Sequence, residues 1–405
     1  MSPRLPPKLA VVVSHPIQYY APWFRHLTMH GGIDLRVFYL SRAGLTASRD
    51  AGFGRTIAWD VPLLDGYSSE FVPSTARGTG TARFFDLRNP TLAPRVAAWK
   101  PDTVLVFGYA YAATLRLLAT WARHSRAPLL FRGDSHLLGR PAGGWRARLR
   151  RAVVAWALGR CSAFLATGRA NRDFFLAHGA PPERIFHAPH CVDNARFAAK
   201  PALTKAAASE WRRALGVADD RFLVLFAGKL EPKKRPDLLL AAFRAAELPD
   251  ATLLFVGHGT LEPSLRAAAQ SQADVIFAPF QNQTAMPRTY TAADVMVLPS
   301  EGHQETWGLA VNEAMATGVP SIVSDVVGCG PDLISEGETG WTFPAGDSRA
   351  LSDALRKAHA HLRDPGRRES LRVNLAARIG RYDYAAATAG LRQAMACVTA
   401  PTHRP

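Results

Sequence analysis

Acidic residues are scarce in this chain. Only 33 Asp and Glu stand against 49 Lys and Arg over 405 residues, which leaves a formal net charge of +16. A field of that sign favours anionic partners and leaves nucleic acid, phosphorylated substrates and acidic membrane surfaces open. Cysteine is scarcer still. Cys161, Cys191, Cys329 and Cys397 lie far apart with no CxxC pair, which excludes a disulfide framework and the usual zinc spacing and suits a reduced, cytoplasmic protein. No apolar run approaches the roughly 18 residues of a membrane span. The run at residues 9–13 is too short for the core of a secretory leader, so any membrane contact is expected to be peripheral. Long disorder is excluded as well, because 48% of the residues are hydrophobic and 20% charged.

What the chain does contain is a repeating alternation. Short apolar runs at residues 9–13, 35–39, 103–107, 129–131 and 163–166 read as buried strands with helix-length spacers. A second series follows at 222–226, 251–256, 275–277, 295–298 and 321–324. That pattern predicts an α/β protein of two doubly wound, Rossmann-like domains with parallel sheets covered on both faces. Between the series lies an Ala- and Lys-rich stretch, residues 198–220. The expected division is an N-terminal domain over 1–197, a C-terminal domain over 198–380, and a helical tail over 381–405 that crosses back to the first domain and frays at its end.

The densest stretch of chemistry runs from Pro299 to Phe343. A strand end is followed by a polar loop, then by a helix expected from about Trp307 to a stop at Gly318-Val-Pro320. Ligands of doubly wound folds gather beyond the carboxyl ends of strands, and the free amides opening such a helix suit a diphosphate. Glu305 and Glu313 are eight residues apart, which on a helix is about 12 Å of rise with both carboxylates on roughly one side. That span suits one acid at a sugar and the other at a ribose. An isolated pair of this kind is ordinarily two solvated surface charges. Its position between a strand end and a helix stop argues otherwise.

Pro299-Ser300, Glu305, Trp307-Gly308, Glu313-Ala-Met-Ala316, Gly318 and Pro320, continued by Gly328, Gly330 and Glu338-Thr-Gly340, resemble the donor-binding signature of the retaining GT-B glycosyltransferases of family four. The loop Glu301-Gly-His-Gln304 is slightly longer than the signature's. Upstream, Phe226-Ala-Gly-Lys-Leu followed by Lys234 resembles the family's strand and G-(R/K)-L turn, and Phe255-Val-Gly-His-Gly259 its V-G-x-G turn. The resemblance implies that Gly228, Lys229, Lys234, Gly257, Trp307, Gly308, Leu309 and Glu313 bind a nucleotide-diphosphate sugar, with 278–282 covering the base. By the same likeness, Lys229 and Lys234 neutralise the leaving diphosphate, Glu305 polarises the sugar and Glu313 holds the ribose. Lysine at 229, where many relatives carry arginine, keeps the charge and gives up bidentate geometry.

The N-terminal half departs from the family. Ser14-His-Pro-Ile-Gln-Tyr-Tyr-Ala-Pro-Trp23 replaces a Gly-rich loop and, with Phe53-Gly54 and Trp59 to Tyr67, resembles a bacterial subgroup linked to cell-surface polysaccharide and natural-product pathways. His15 and Gln18 are then expected at the cleft. Phe131-Arg-Gly-Asp-Ser-His136 follows a strand end. It offers Asp134 as a catalytic residue, where relatives carry a His that touches the donor sugar, with Arg132 and His136 as acceptor-side candidates. Residues 140–160 hold six arginines, Arg140, Arg146, Arg148, Arg150, Arg151 and Arg160, while Trp145, Leu149, Val153 and Trp156 recur at helical spacing. Either this helix packs on the sheet with its arginines in water, or it docks on an anionic bilayer.

The resemblance implies a glycosyltransferase that moves a sugar from a nucleotide-diphosphate donor to a hydroxyl of a glycan or lipid-linked acceptor, with retention, in cell-surface polysaccharide or glycoconjugate synthesis. No residue stands out as a covalent nucleophile, which points to front-face attack. With no DxD in the chain, neither a metal nor another cofactor is expected. A GT-B sugar-nucleotide epimerase and a basic nucleic-acid-binding protein are the rival readings. Against the second, the basic residues are dispersed and no nucleic-acid module is recognisable.

Overall fold

The computed structural model describes residues 5–50, 55–76, 80–139, 143–199, 201–270 and 272–400. Phe53-Gly54, Arg140 and the end of the tail, 401–405, lie outside them.

The first half carries β1 (Lys8–Val13), β2 (Asp34–Tyr39), β3 (Ser48–Asp50), β4 (Arg55–Ile57), β5 (Ser68–Phe71), β6 (Thr103–Phe107), β7 (Leu129–Gly133), β8 (Ala163–Ala166) and β9 (Ile185–His187). All but the antiparallel β3–β4 pair join one parallel sheet, in the order β5-β2-β1-β6-β7-β8-β9. The second half carries β10 (Phe222–Ala227), β11 (Ala251–Val256), β12 (Val275–Ala278), β13 (Val295–Leu298), β14 (Ser321–Ser324) and β15 (Gly340–Phe343). They form a parallel sheet ordered β12-β11-β10-β13-β14-β15. Each sheet reverses its strand order beside its first strand, which leaves a crevice at the carboxyl ends there.

The reason for the strands is visible in their burial. All six residues of β10 and of β11 are buried, as the unbroken apolar runs demand of a sheet covered on both faces. The three sheet strands absent from the sequence reading are edge strands. β5 is the polar Ser-Ser-Glu-Phe, β9 has only three residues, and β15 includes an exposed Thr342. One-sided pairing gives such strands no continuous apolar run to recognise.

The helix Tyr384–Thr399 packs on the N-terminal domain, where Ala387, Leu391, Ala394 and Met395 share a core with β1, β2 and β8. Asp383 caps it by accepting from the Ala386 amide at 2.7 Å. The Trp23 indole donates to Thr388 Oγ1 at 3.2 Å. The Asn194 amide holds the carbonyls of Ile379 and Tyr382, at 3.1 and 3.3 Å, just ahead of the crossing. Chain 380–400 therefore braces both domains.

Candidate functional site

Loops at the carboxyl ends of strands from both sheets meet in the cleft. The loop after β10 turns at Gly228 and runs through a short turn, Pro232–Lys234, into the helix Pro236–Ala246. That turn brings Lys234 back over Gly228 and into the cleft. The loop after β11 packs so tightly on it that a Cβ at Gly257, φ +135°, would lie 2.0 Å from the Gly228 carbonyl oxygen. Gly257 is a packing residue and does not line the cavity.

The loop after β13 differs from expectation in one respect. The helix runs Leu309–Ala316, so Glu305 precedes it by four residues and is placed by loop geometry instead of helical rotation. Ser300 Oγ donates to Glu305 Oε2 at 2.9 Å, and Lys234 Nζ lies 2.7 Å from the same oxygen. The Gly328 amide and His136 Nε2 both donate to the Glu305 carbonyl, at 3.1 and 3.2 Å. A Cβ at Gly328 would meet the Thr306 carbonyl oxygen at 1.9 Å, so only glycine lets the two loops lie this close. Burial by itself would raise the Glu305 carboxyl, but Lys234, Ser300 and Lys233 outweigh it and hold the group below its ordinary value.

Glu313 is buried, 2% exposed, on the inner side of the helix. Tyr290 donates its hydroxyl to Oε2 at 2.7 Å, while Oε1 has no hydrogen-bond partner although the residue lines the cavity. Burial drives this carboxyl up to about 7 against the opposing pull of Tyr290, Arg196, Tyr19 and Gln283. One cleft thus holds two acids of opposite character, one kept ionised by a lysine and one poised near neutrality.

From the N-terminal side, the loop after β7 supplies Asp134, whose side chain keeps 43% of its surface exposed. Thr306 donates to Asp134 Oδ2 at 2.7 Å, and His190 Nε2 stands 3.8 Å from that oxygen. Partial burial would raise the carboxyl, but His190 and Thr306 bring it down to about 2. His190 is itself buried, which lowers its pKa against the pull of Asp134. Tyr20 stacks on it, with centroids 6.0 Å apart.

These groups line a cavity of about 460 Å³. Of the residues singled out in the sequence, it brings together Gln18, Asp134, Gly228, Lys229, Lys234, Glu305, Trp307, Gly308, Leu309 and Glu313. Trp307 is only 3% exposed, and its indole donates to Asn312 Oδ1 at 2.7 Å. His15, Arg132 and His136 do not line it. Arg132, 2% exposed, spends its guanidinium on the carbonyls of Ala188 and Pro189 at 2.6 and 3.1 Å, over the Trp23 ring. It is a strut, as is His136, and the His15 ring turns to Ser14 Oγ at 3.0 Å. Tyr19, His190, Gln283, Tyr290 and Thr306 were not singled out. Tyr19 sat unresolved within the Ser14–Trp23 string, and nothing in the local pattern marks the other four. The base-side loop makes interdomain contacts too: Asn282 donates to the Ala58 carbonyl at 2.7 Å, and the Thr284 amide to Asp60 at 3.2 Å.

Two Rossmann-type domains facing across a cleft, with cations and a carboxylate pair on the C-terminal wall, define the GT-B class. Comparison with known proteins agrees. Residues 208–376 match the family of glycosyl transferases group 1, and residues 18–190 the glycosyl transferase 4-like domain. The chain belongs to these GT-B glycosyltransferases. It is 33% identical over 220 residues to a D-inositol 3-phosphate glycosyltransferase of Thermomonospora curvata, covering 51% of this chain and 49% of that protein. The similar enzyme of Mycobacterium tuberculosis is 33% identical over 192 residues, 45% of this chain and 38% of its own. The chain therefore spans about half the length of the curated relatives it matches. Its fold is shared with Anabaena HepE, solved with UDP, at a TM-score of 0.71 and 18% identity over 96% of this chain and 100% of that one. The fold is shared likewise with the lipopolysaccharide glycosyltransferase WaaG, at 0.65 and 17% over 97% and 100%.

Proposed function

We propose that this protein transfers a sugar from a nucleotide-diphosphate donor to a hydroxyl of a glycan or lipid-linked acceptor, with retention of anomeric configuration, at the cytoplasmic face of a membrane. The observation that carries the reading is the buried Glu313 carboxyl in the cavity that also presents Lys229 and Lys234. An ionised carboxylate accepts through both oxygens, so it suits the hydroxyl donors of a ribose. That HepE was solved with UDP and with UDP-glucose supports a donor of this class.

In this reading the diphosphate lies between the two acids, against Lys229 and Lys234, which supply the charge a divalent cation would otherwise bring. The acceptor hydroxyl attacks the anomeric carbon from the face the diphosphate leaves. The carbon–oxygen bond to the diphosphate breaks, and a released phosphate oxygen takes the acceptor proton. Glu305 holds the sugar hydroxyls from the donor side, and Asp134 orients the reacting groups from the other wall. Membership of polysaccharide or glycoconjugate synthesis follows from the acceptor class.

The test is a thermal-shift panel of UDP-, GDP-, ADP- and TDP-sugars, since a ligand of the folded state raises its melting temperature. The hit is then followed by NMR of the anomeric proton in the product. A shift with an α-linked product from an α-linked donor is expected. A panel without any shift, or an inverted product, refutes the reading; an altered free sugar nucleotide would instead mark an epimerase.

A further inference from the structure

The first turns of the helix Trp145–Leu158 are exposed on every side. Residues 145–153 are all exposed, and only Val154, Ala157 and Leu158 are buried. The exposed residues include large apolar ones: Trp145 is 69% exposed, Leu149 58%, Val153 39% and Trp156 38%. At about 100° per residue these four fall in one stripe roughly 80° wide, on the side away from the buried residues. Arg146 and Arg150 border the stripe on one flank and Arg148 on the other, and the helix contains no acid. Arg146 lies over the Trp145 ring at 5.3 Å, and Arg160, just past the helix, over Trp156 at 5.3 Å. On the inner side, a cavity rimmed by Arg146, Arg150 and Arg151 lies between these turns and the body, bridged by Arg151, which donates to the Ala177 carbonyl at 2.9 Å.

An apolar stripe left in water is unfavourable, and one bordered by arginines does not suit burial in a second apolar surface. It suits an interface that is apolar in depth and anionic at its rim. We infer that this helix is a docking element for an anionic lipid bilayer. Trp145, Leu149, Val153 and Trp156 enter the acyl boundary, and the flanking arginines meet lipid phosphates. The placement joins docking to the site. Trp145 follows Asp134 by eleven residues in the same connection after β7, and Gly139 within it packs against Val326 and Gly302 of the opposite domain. A bilayer under the helix therefore lies beside the cleft wall that carries Asp134. The inference builds on the lipid-linked acceptor proposed above, but its test uses neither donor nor acceptor, so the two can fail separately.

The full-length protein is to be floated with vesicles of phosphatidylcholine alone and with one third phosphatidylglycerol. Binding is expected only to the anionic vesicles and is expected to weaken as salt screens the arginines. Each of Arg146→Gln and Arg148→Gln should lower the partition about fivefold, the effect of one basic residue at an anionic surface. Trp145→Ser with Leu149→Ser should abolish binding with an unchanged melting temperature, because both side chains are exposed. Equal binding to both vesicle types, no binding to either, or binding indifferent to these substitutions overturns the inference. So does a wild-type dimer that the double substitution makes monomeric, which would assign the stripe to a second copy of the chain.

Discussion

Lys234 Nζ and Glu305 Oε2 lie 2.7 Å apart, so the cation proposed for the donor diphosphate and the carboxylate proposed for the sugar form one ion pair in the free protein. In the proposed reading, a diphosphate that engages Lys234 competes with Glu305 for it and releases the carboxylate toward the sugar.

The pair separates binding from turnover. Glu305→Gln removes the competitor, and the expected outcome is nucleotide binding as tight as in the wild type or tighter, with kcat reduced about 100-fold. Lys234→Met is expected to weaken donor binding about tenfold. It also leaves a carboxylate with 13% side-chain exposure without its ion-pair partner, with Ser300 and Lys233 still beside it, which costs roughly 3 kcal/mol of stability. Calorimetric titration and denaturant unfolding of the two variants check both.

With Glu313 at the ribose as proposed, donor binding is expected to depend on pH. Its carboxyl, raised to about 7 in the fold, must be ionised to accept from two ribose hydroxyls. Affinity for a nucleotide sugar is therefore expected to rise about tenfold from pH 6 to pH 8, with a proton released on binding below neutrality. The folding contribution runs the other way. A carboxyl raised in the fold favours the folded state below its unfolded value of about 4.3, and this is lost as pH rises through 7. Glu313→Gln should flatten both profiles, read by calorimetry and by melting temperature against pH.

Asp134 stands on the wall opposite the lysines, held by Thr306 at 2.7 Å. Asp134→Asn keeps the shape and removes the charge, so kcat is expected to fall about 10- to 100-fold while donor affinity changes less than about twofold. A loss of donor affinity in equilibrium titration would place the residue at the nucleotide instead.

Arg132 behaves as structure. Arg132→Met leaves the Ala188 and Pro189 carbonyls without their donor, and a loss of about 2–4 kcal/mol is expected, with acceptor KM unchanged while the protein is folded. Chemical denaturation and initial rates separate the two roles.

The domain pair was legible because nine central strands and the edge strand β12 are mostly apolar runs, and such runs have one stable environment. Edge strands such as Ser68–Phe71 were not, because half their surroundings are solvent. In the site, the cavity brings together Lys229, Lys234, Glu305 and Glu313, which the sequence offered through the family resemblance of the stretches that carry them. Tyr290 and His190 were not. Each sits far along the chain from what it touches, Tyr290 on Glu313 and His190 near Asp134, and no local spacing encodes such pairings. Arg132 shows the reverse error. A charged residue at a strand end reads as cleft-facing, yet its guanidinium turns inward to backbone carbonyls.

The most direct test of the account is calorimetric titration of UDP-, GDP-, ADP- and TDP-glucose into the wild type and Glu313→Gln at pH 8. The account predicts that at least one donor binds the wild type, and that losing the buried charged acceptor weakens it about 10- to 100-fold. Binding of no member of the panel, or equal binding by both proteins, would contradict it.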